Sequence, residues 1–294
     1  MRMEGLKILR LLIGFIPGNV LEFTYTSLLK PRPLRFLVNT VLLFFIPDSI
    51  NVGEVDLFLN KKDPVVSGSL ALGVYERPET QLFLGLLKPA SVKEAAVFID
   101  VGANIGYYTA LAARKVKKII AIEPDPRSFA LLSKTVKEND LQNVTLYALA
   151  LSDKNSEGLL YLSNANYGNN RLYPHFEAQE AIPITLTRLD DLVKEDTASL
   201  IIKMDTQGAE GKVLAGMMRT LRSTPHVQIL TEFFPQGMRH AGSNPEEFLS
   251  ILSELGFKMW NINKRTGNLE RVAELAEFAK SLVGREFANL YCDK

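Results

Sequence analysis

Beyond residue 53, apolar and polar positions settle into a succession of short apolar runs, turns and amphipathic stretches, which predicts alternating strands and helices. Val55–Asn60 (VDLFLN) alternates as a half-buried strand does, and Lys61-Lys62-Asp63-Pro64 closes it as a turn. Arg77–Leu87 offers Leu82, Leu84, Leu86 and Leu87 as apolar positions of a helix that Pro89 stops. Val97–Val101 (VFIDV) fits a buried parallel strand. Gly102-Ala103-Asn104-Ile105-Gly106 follows at once, and Tyr107–Val116 reads as a helix. Lys118–Ile122 is a second strand, Pro126–Asn139 a second helix and Val144–Leu151 a third strand. Near the end, Asn244–Leu255 carries an apolar face through Phe248, Leu249, Ile251, Leu252 and Leu255, and Gly256 ends it.

The first 52 residues follow no such rhythm. Leu11–Leu21 and Phe36–Pro47 are uncharged apolar runs separated by Lys30, Arg32 and Arg35, and broken by Pro17, Pro31, Pro33 and Pro47. Each is shorter than the ~17–25 residues that span a bilayer. The chain is therefore expected to divide into an N-terminal helical cap or interfacial segment, 1–52, and a main domain, 53–294. The cap can bury its apolar face on the main domain, or lie on a membrane with its cations toward anionic headgroups.

Charge and composition narrow the classes. The 294 residues hold 34 Lys and Arg against 33 Asp and Glu, so no nucleic-acid footprint is expected. Cys292 is the single cysteine, which removes internal disulfides and cysteine-based zinc clusters and points to a reducing, cytoplasmic compartment. His175, His226 and His240 form no paired metal-ligand pattern.

The strand, glycine turn and helix at Val97–Val116 suit a nucleotide-type ligand. Gly102 lets backbone approach it, and Gly106 permits a tight helix–strand approach. The spacing is GxxxG, not the GxGxxG of dinucleotide folds. Glu123 ends the second strand 21 positions beyond Gly102, where an acidic residue accepts hydrogen bonds from ribose hydroxyls. Ser152 and Asp153, at the end of the third strand, are placed to approach an adenine edge. The structural alternatives are a helix-capping Glu123 and a surface turn at Asp153.

Phe98-Ile99-Asp100-Val101-Gly102-Ala103-Asn104-Ile105-Gly106-Tyr107-Tyr108-Thr109 followed by Ile122-Glu123-Pro124 resembles the FkbM family of S-adenosylmethionine-dependent methyltransferases. Leu151-Ser152-Asp153, Leu189-Asp190-Asp191-Leu192, Ile202–Glu210 (IKMDTQGAE) and Tyr75-Glu76 extend the resemblance, which covers roughly Asp56 to Phe257. Gln207 departs from it, since family members often carry Glu there. The resemblance implies an α/β fold: a doubly wound, seven-stranded, class I (Rossmann-like) methyltransferase sheet behind the N-terminal appendage. Leu200–Met204 would be strand four, Val227–Thr231 strand five, and Lys258–Ile262 with Ala288–Cys292 a final antiparallel pair. Leu269–Val283 would be an inserted helix, and the polar, aromatic Ser163–Ala181 a loop over the site.

It further implies S-adenosylmethionine as cofactor, held by Glu76, Asp100, Gly102, Ala103, Asn104, Gly106, Tyr108, Thr109, Glu123, Pro124, Ser152 and Asp153. Methyl transfer to a hydroxyl calls for a base. Asp205 and Glu232 each follow an apolar strand, and His240 lies eight residues further on, so these three are the catalytic candidates. Asp205 can instead N-cap the next helix, Lys203 can pair with Glu210, and His240 can be a loop histidine. A divalent cation on Asp205 and Glu232 is neither required nor excluded. The expected acceptor is a small molecule or a glycan, and the sequence leaves a homo-oligomer open. Two other readings use the same residues: a nicotinamide-dependent oxidoreductase, and a non-catalytic cofactor-binding module at a membrane.

Overall fold

Strand-forming residues here are apolar on both faces, and the sheet is covered on both sides accordingly. The computed structural model describes residues 39–41, 43–88, 95–163, 166–193 and 197–294. Leu11–Leu21, Lys30, Arg32, Arg35, Pro17, Pro31, Pro33 and Pro89 lie outside the described residues. In chain order the strands are β1 Ser49–Val52, β2 Val55–Phe58, β3 Ala96–Val101, β4 Lys118–Ile122, β5 Val144–Tyr147, β6 Ala150–Leu151, β7 Ser156–Ser163, β8 Ala178–Thr187, β9 Ser199–Met204, β10 His226–Phe233, β11 Lys258–Ile262, β12 Leu269–Arg271 and β13 Ala288–Asp293.

The main sheet runs β12-β11-β13-β10-β9-β3-β4-β5. β10, β9, β3, β4 and β5 are parallel neighbours, and β13 is antiparallel to both β10 and β11. Phe98, Ile119, Ala121 and Ile201 pack on one face, with Phe83 and Leu132. Ile99, Val101, Ile120, Ile122 and Ile202 pack on the other, with Val213 and Leu249. This two-sided burial is why the parallel strands read as continuous apolar runs.

Three sequence expectations change. Leu269–Val283 is not one helix: Leu269–Arg271 pairs with Trp260–Ile262 as an eighth, edge strand, and only Leu275–Ser281 is helical. The cause is the Asn263–Asn268 turn, in which Asn263 N–H bonds the Asn268 carbonyl at 2.9 Å and Gly267 takes a positive φ of 75°. Val144–Leu151 is split, because Ala150–Leu151 leaves the main sheet to pair with Leu186–Thr187 of β8. β8 also pairs with β7, so a three-stranded sheet, β6-β8-β7, frames the segment expected as a loop. Residues 166–177 remain as its tip.

The first hairpin pairs Ser49–Val52 with Val55–Phe58, straddling residue 52, while Ile46 and Val52 join the core. Phe44 is 65% exposed. No helix among the described residues is long and apolar enough to cross a membrane.

Candidate active site

The carboxyl ends of β3, β4 and β9 are stitched together by backbone. Gly102 and Ala103 N–H both donate to the Ile122 carbonyl at 3.0 Å, and Asp205 N–H donates to the Val101 carbonyl at 3.0 Å. Gly102 has φ 75°, and a Cβ there would lie 2.0 Å from the Asp205 carbonyl oxygen. Only glycine fits this junction. Gly106, φ 90°, lets Leu132 of the helix Pro126–Glu138 approach to 2.6 Å of where a Cβ would stand. The close approach at Gly106 is therefore helix against helix, not the helix–strand contact expected, because Leu132 is the side chain that fills the space.

A cleft opens over these strand ends. Gly102, Asn104, Glu123, Pro124, Asp205 and Gln207 line it, and Tyr167, Gly168, Asn170, Arg171 and Leu172 of the 166–177 tip form its far wall. The expected loop over the site is in place. Glu123 is buried at the tip of β4: its Oε2 accepts from Asn104 N–H and its Oε1 from Asp125 N–H, both at 2.8 Å. Burial outweighs these bonds and pushes its carboxyl up to about 8. Each oxygen retains acceptor capacity for a further hydroxyl. Asn104, φ 51°, leaves its buried Oδ1 without a hydrogen-bond partner.

A smaller cavity beside the cleft is lined by Glu76, Asp100, Tyr108, Lys203 and Asp205, with Tyr75, Gly102, Asn104 and Asp205 shared between the two. Lys203 Nζ lies 3.9 Å from Glu76 Oε2 and 3.7 Å from Asp205 Oδ2, and 5.0 Å from the Tyr108 ring centroid. Burial works to lower the Lys203 ammonium, but Glu76 and Asp205 hold it above its ordinary range. Tyr108 donates to Glu76 Oε2 at 2.7 Å, and Glu76 sits at φ 41°. Burial raises the Glu76 carboxyl against the pull of Lys203. Thr109 donates to Asp100 Oδ2 at 2.7 Å, and burial pushes Asp100 up to about 6.

Ser152 and Asp153 do not line the cleft; Ala150 and Leu151 do, facing Leu160 and Leu172. Ser152 N–H bonds the Thr187 carbonyl, turning the chain into the second sheet, and Asp153 is exposed. The signal for this apolar slot lay in the alternation of β7, Leu160 inward, which was legible only once β7 was recognised as a strand.

Among the catalytic candidates, Asp205 and Glu232 are brought together. Gln207 Nε2 donates to Asp205 Oδ1 at 2.9 Å and to Glu232 Oε2 at 3.1 Å. Burial and then Asp205 raise the Glu232 carboxyl well above its ordinary range. His240 is exposed at the end of the helix Pro235–His240, edge-on to Tyr173 at 5.7 Å, and does not line the cleft. Asp205 caps no helix, and Lys203 does not pair with Glu210: Glu210 accepts instead from Thr206 N–H at 2.8 Å and Gly208 N–H at 2.9 Å. Carboxylate oxygens of Asp205, Glu210 and Glu232 lie within 4.8 Å of one another. Backbone donors already occupy those of Glu210, and Gln207 lies between the other two.

The β11-β13-β10-β9-β3-β4-β5 order, with β13 reversed, and an acidic residue at the tip of β4 define a class I methyltransferase fold. The methyltransferase FkbM domain matches residues 100–259, and the chain belongs to that family. The hexuronic acid methyltransferase AglP of Haloferax volcanii is 28% identical over 180 residues, covering 60% of this chain and 69% of the relative. The 2-O-methyltransferase NoeI of Sinorhizobium fredii is 30% identical over 163 residues, covering 49% of this chain and 65% of the relative. Among solved structures, TYW2 of M. jannaschii in complex with AdoMet overlays with a TM-score of 0.41 at 14% identity, covering 83% of each chain. Precorrin-6y C5,15-methyltransferase of Geobacter metallireducens overlays at 0.38 and 13%, covering 73% of this chain and 88% of that one.

The residues fit the cofactor a methyltransferase requires, S-adenosylmethionine. The glycine junction admits no side chain at the strand ends, the Glu123 carboxyl lines the cleft with acceptor capacity left, and the buried Asn104 Oδ1 has no hydrogen-bond partner.

Proposed function

We propose that this protein is a sugar O-methyltransferase in which Asp205 is the general base. The observation that carries the reading is the position of Asp205. It borders both the cleft that holds Glu123 and the cavity that holds Glu76 and Lys203. When bound, the cofactor supplies an electrophilic sulfonium methyl group. Glu123 holds the ribose diol. Glu76, Tyr108, Asp100 and Lys203 bind the charged amino-acid end, where a cation for its carboxylate and carboxylates for its ammonium are needed. Asp205 accepts the proton of the attacking hydroxyl through Oδ2, with Gln207 fixing Oδ1 and Lys203 beside it. Glu232 supports Gln207 by accepting from its Nε2. No step requires a metal.

The sugar acceptor is supported by the two relatives, one named for hexuronic acid methylation and the other for 2-O-methylation. A nicotinamide oxidoreductase and a non-catalytic module are set aside by family membership and by the retained Asp205. Residues 1–52 are proposed as a segment that brings the enzyme to a membrane surface peripherally, within the cytoplasm. The test is transfer of a trideuteromethyl group from labelled cofactor to a panel of glycosides, read by mass spectrometry. Transfer to sugar oxygens by the native chain, and a loss of about 10²–10⁴-fold in Asp205→Asn, is expected. Transfer only to nitrogen or carbon acceptors would overturn the reading.

A further inference from the structure

We propose that Arg171 binds an anionic group on the acceptor, a carboxylate or a phosphate, and so selects acidic sugars over neutral ones. The proposal rests on the sugar O-methyltransferase reading and specifies its substrate class.

Arg171 is 7% exposed and is held in the wall of the cleft by a bridge to Tyr161: Tyr161 N–H donates to its carbonyl at 2.8 Å, and its N–H to the Tyr161 carbonyl at 3.1 Å. Its guanidinium faces the rings of Tyr173 and Phe234. It lies 5.5 Å from the Tyr173 ring and 5.4 Å from the Phe234 ring, and Tyr173 in turn donates to the Gln207 carbonyl at 3.1 Å. Arg171 is thus two hydrogen bonds from the residue that positions Asp205.

The partners of this cation are all neutral. Nε and Nη2 donate to Asn169 Oδ1 at 3.1 and 2.6 Å, and Nη1 to the Tyr173 hydroxyl at 3.1 Å. A guanidinium carries five N–H donors, so one on each terminal nitrogen remains. Among the described residues no carboxylate oxygen lies within ion-pair distance of it. The nearest one along the bonding chain is Glu177, which bonds the far side of Asn169 and is paired with Arg285 at 3.3 Å. Lys203, the other buried cation near the cleft, has two carboxylates beside it. A buried charge without a counter-ion is costly, and a fork of free N–H groups matches a carboxylate or phosphate. The carboxylates that line the cleft, Glu123 and Asp205, would repel an anionic acceptor, and Arg171 is the cleft-lining cation that offsets them.

The test uses the full chain saturated with S-adenosylhomocysteine, titrated calorimetrically with methyl β-D-glucoside, methyl β-D-glucuronide and glucose 6-phosphate. The glucuronide and phosphate arms distinguish the two anions. At least one acidic sugar is expected to bind about tenfold or more tightly than the glucoside. Arg171→Gln is expected to bring acidic and neutral sugars within about twofold while leaving S-adenosylhomocysteine affinity within about threefold. Arg171→Lys, which keeps the charge and loses the fork, should recover part of the preference, and it serves should the Gln variant not fold. Equal binding of acidic and neutral sugars by the native chain, no binding of any of them, or an unchanged preference in both variants would overturn the role of Arg171. Failure of S-adenosylhomocysteine itself to bind would overturn the methyltransferase reading instead.

Discussion

Gln207 holds Asp205 in place: its side-chain Nε2 donates to Asp205 Oδ1 at 2.9 Å while also reaching Glu232 Oε2 at 3.1 Å. One amide thereby bridges the half-buried Asp205 and the buried Glu232 without adding a third carboxyl. Replacing Gln207 with Glu puts a third carboxyl among them. Its proton would be held tightly in the folded state and loosely in the unfolded one. The folded state then binds more protons above the ordinary Glu range, so stability falls as pH rises. Thermal denaturation of Gln207→Glu should match the native chain near pH 5 and lose about 1–3 kcal/mol relative to it by pH 8. A constant difference across that range would show that the amide's neutrality is irrelevant.

Asp205 and Glu232 are expected to differ as catalysts. Burial and Asp205 both disfavour the charged form of Glu232, so Glu232→Gln should keep turnover within about tenfold. Asp205→Asn should cost about 10²–10⁴-fold with cofactor affinity retained. Equal losses in the two variants would assign the base to the pair rather than to Asp205.

Cofactor affinity should depend on pH through Glu123. Burial raises its carboxyl to about 8, so the free protein holds a proton there at neutrality. Ribose hydroxyls donate to the carboxylate, so binding releases that proton, and affinity for S-adenosylhomocysteine rises from pH 6 to 8. The raised group also costs the free protein stability as pH climbs from the ordinary carboxylate range toward 8, so the cofactor stabilises most at the upper end. Glu123→Gln should flatten the pH dependence and weaken binding by ~1.5–3 kcal/mol. Identical slopes in native and variant chains would place the linked proton elsewhere.

Gly102→Ala tests the junction of β3 with β9. The added methyl meets the Asp205 carbonyl oxygen at 2.0 Å, at a positive φ, and backbone must move. A destabilisation of about 1–3 kcal/mol in urea, with cofactor binding lost, is expected. A chain of native stability would mean that the strand ends are not packed as described.

The N-terminal proposal is tested with anionic vesicles. The full chain should float with them, less so at high salt, and replacing Lys30, Arg32 and Arg35 with Gln should weaken flotation, at about 1 kcal/mol per cation. Flotation unaffected by salt and by these substitutions would make the contact apolar or absent.

The parallel strands were legible because burial on both faces writes itself as apolar runs: Lys118–Ile122 matches residue for residue, and Glu123 lies where its spacing placed it. Lys258–Ile262 matches as well, as a strand of the antiparallel edge. The second sheet was not legible. β8 alternates weakly, carries Pro183 and is exposed along much of its length, so its pairing with β7 is a tertiary effect. Arg171 is not legible for the same reason, since its site exists only where that sheet carries it to the wall of the cleft. Gln207 was visible as a departure, but its two-carboxylate bond depends on Glu232, 25 positions away.

The account stands most directly on the ligand of the cleft. Isothermal titration of the full chain with S-adenosylhomocysteine and, separately, with NAD should show saturable one-to-one binding of the first in the micromolar range and none of the second. Binding of NAD, or of neither, would contradict it.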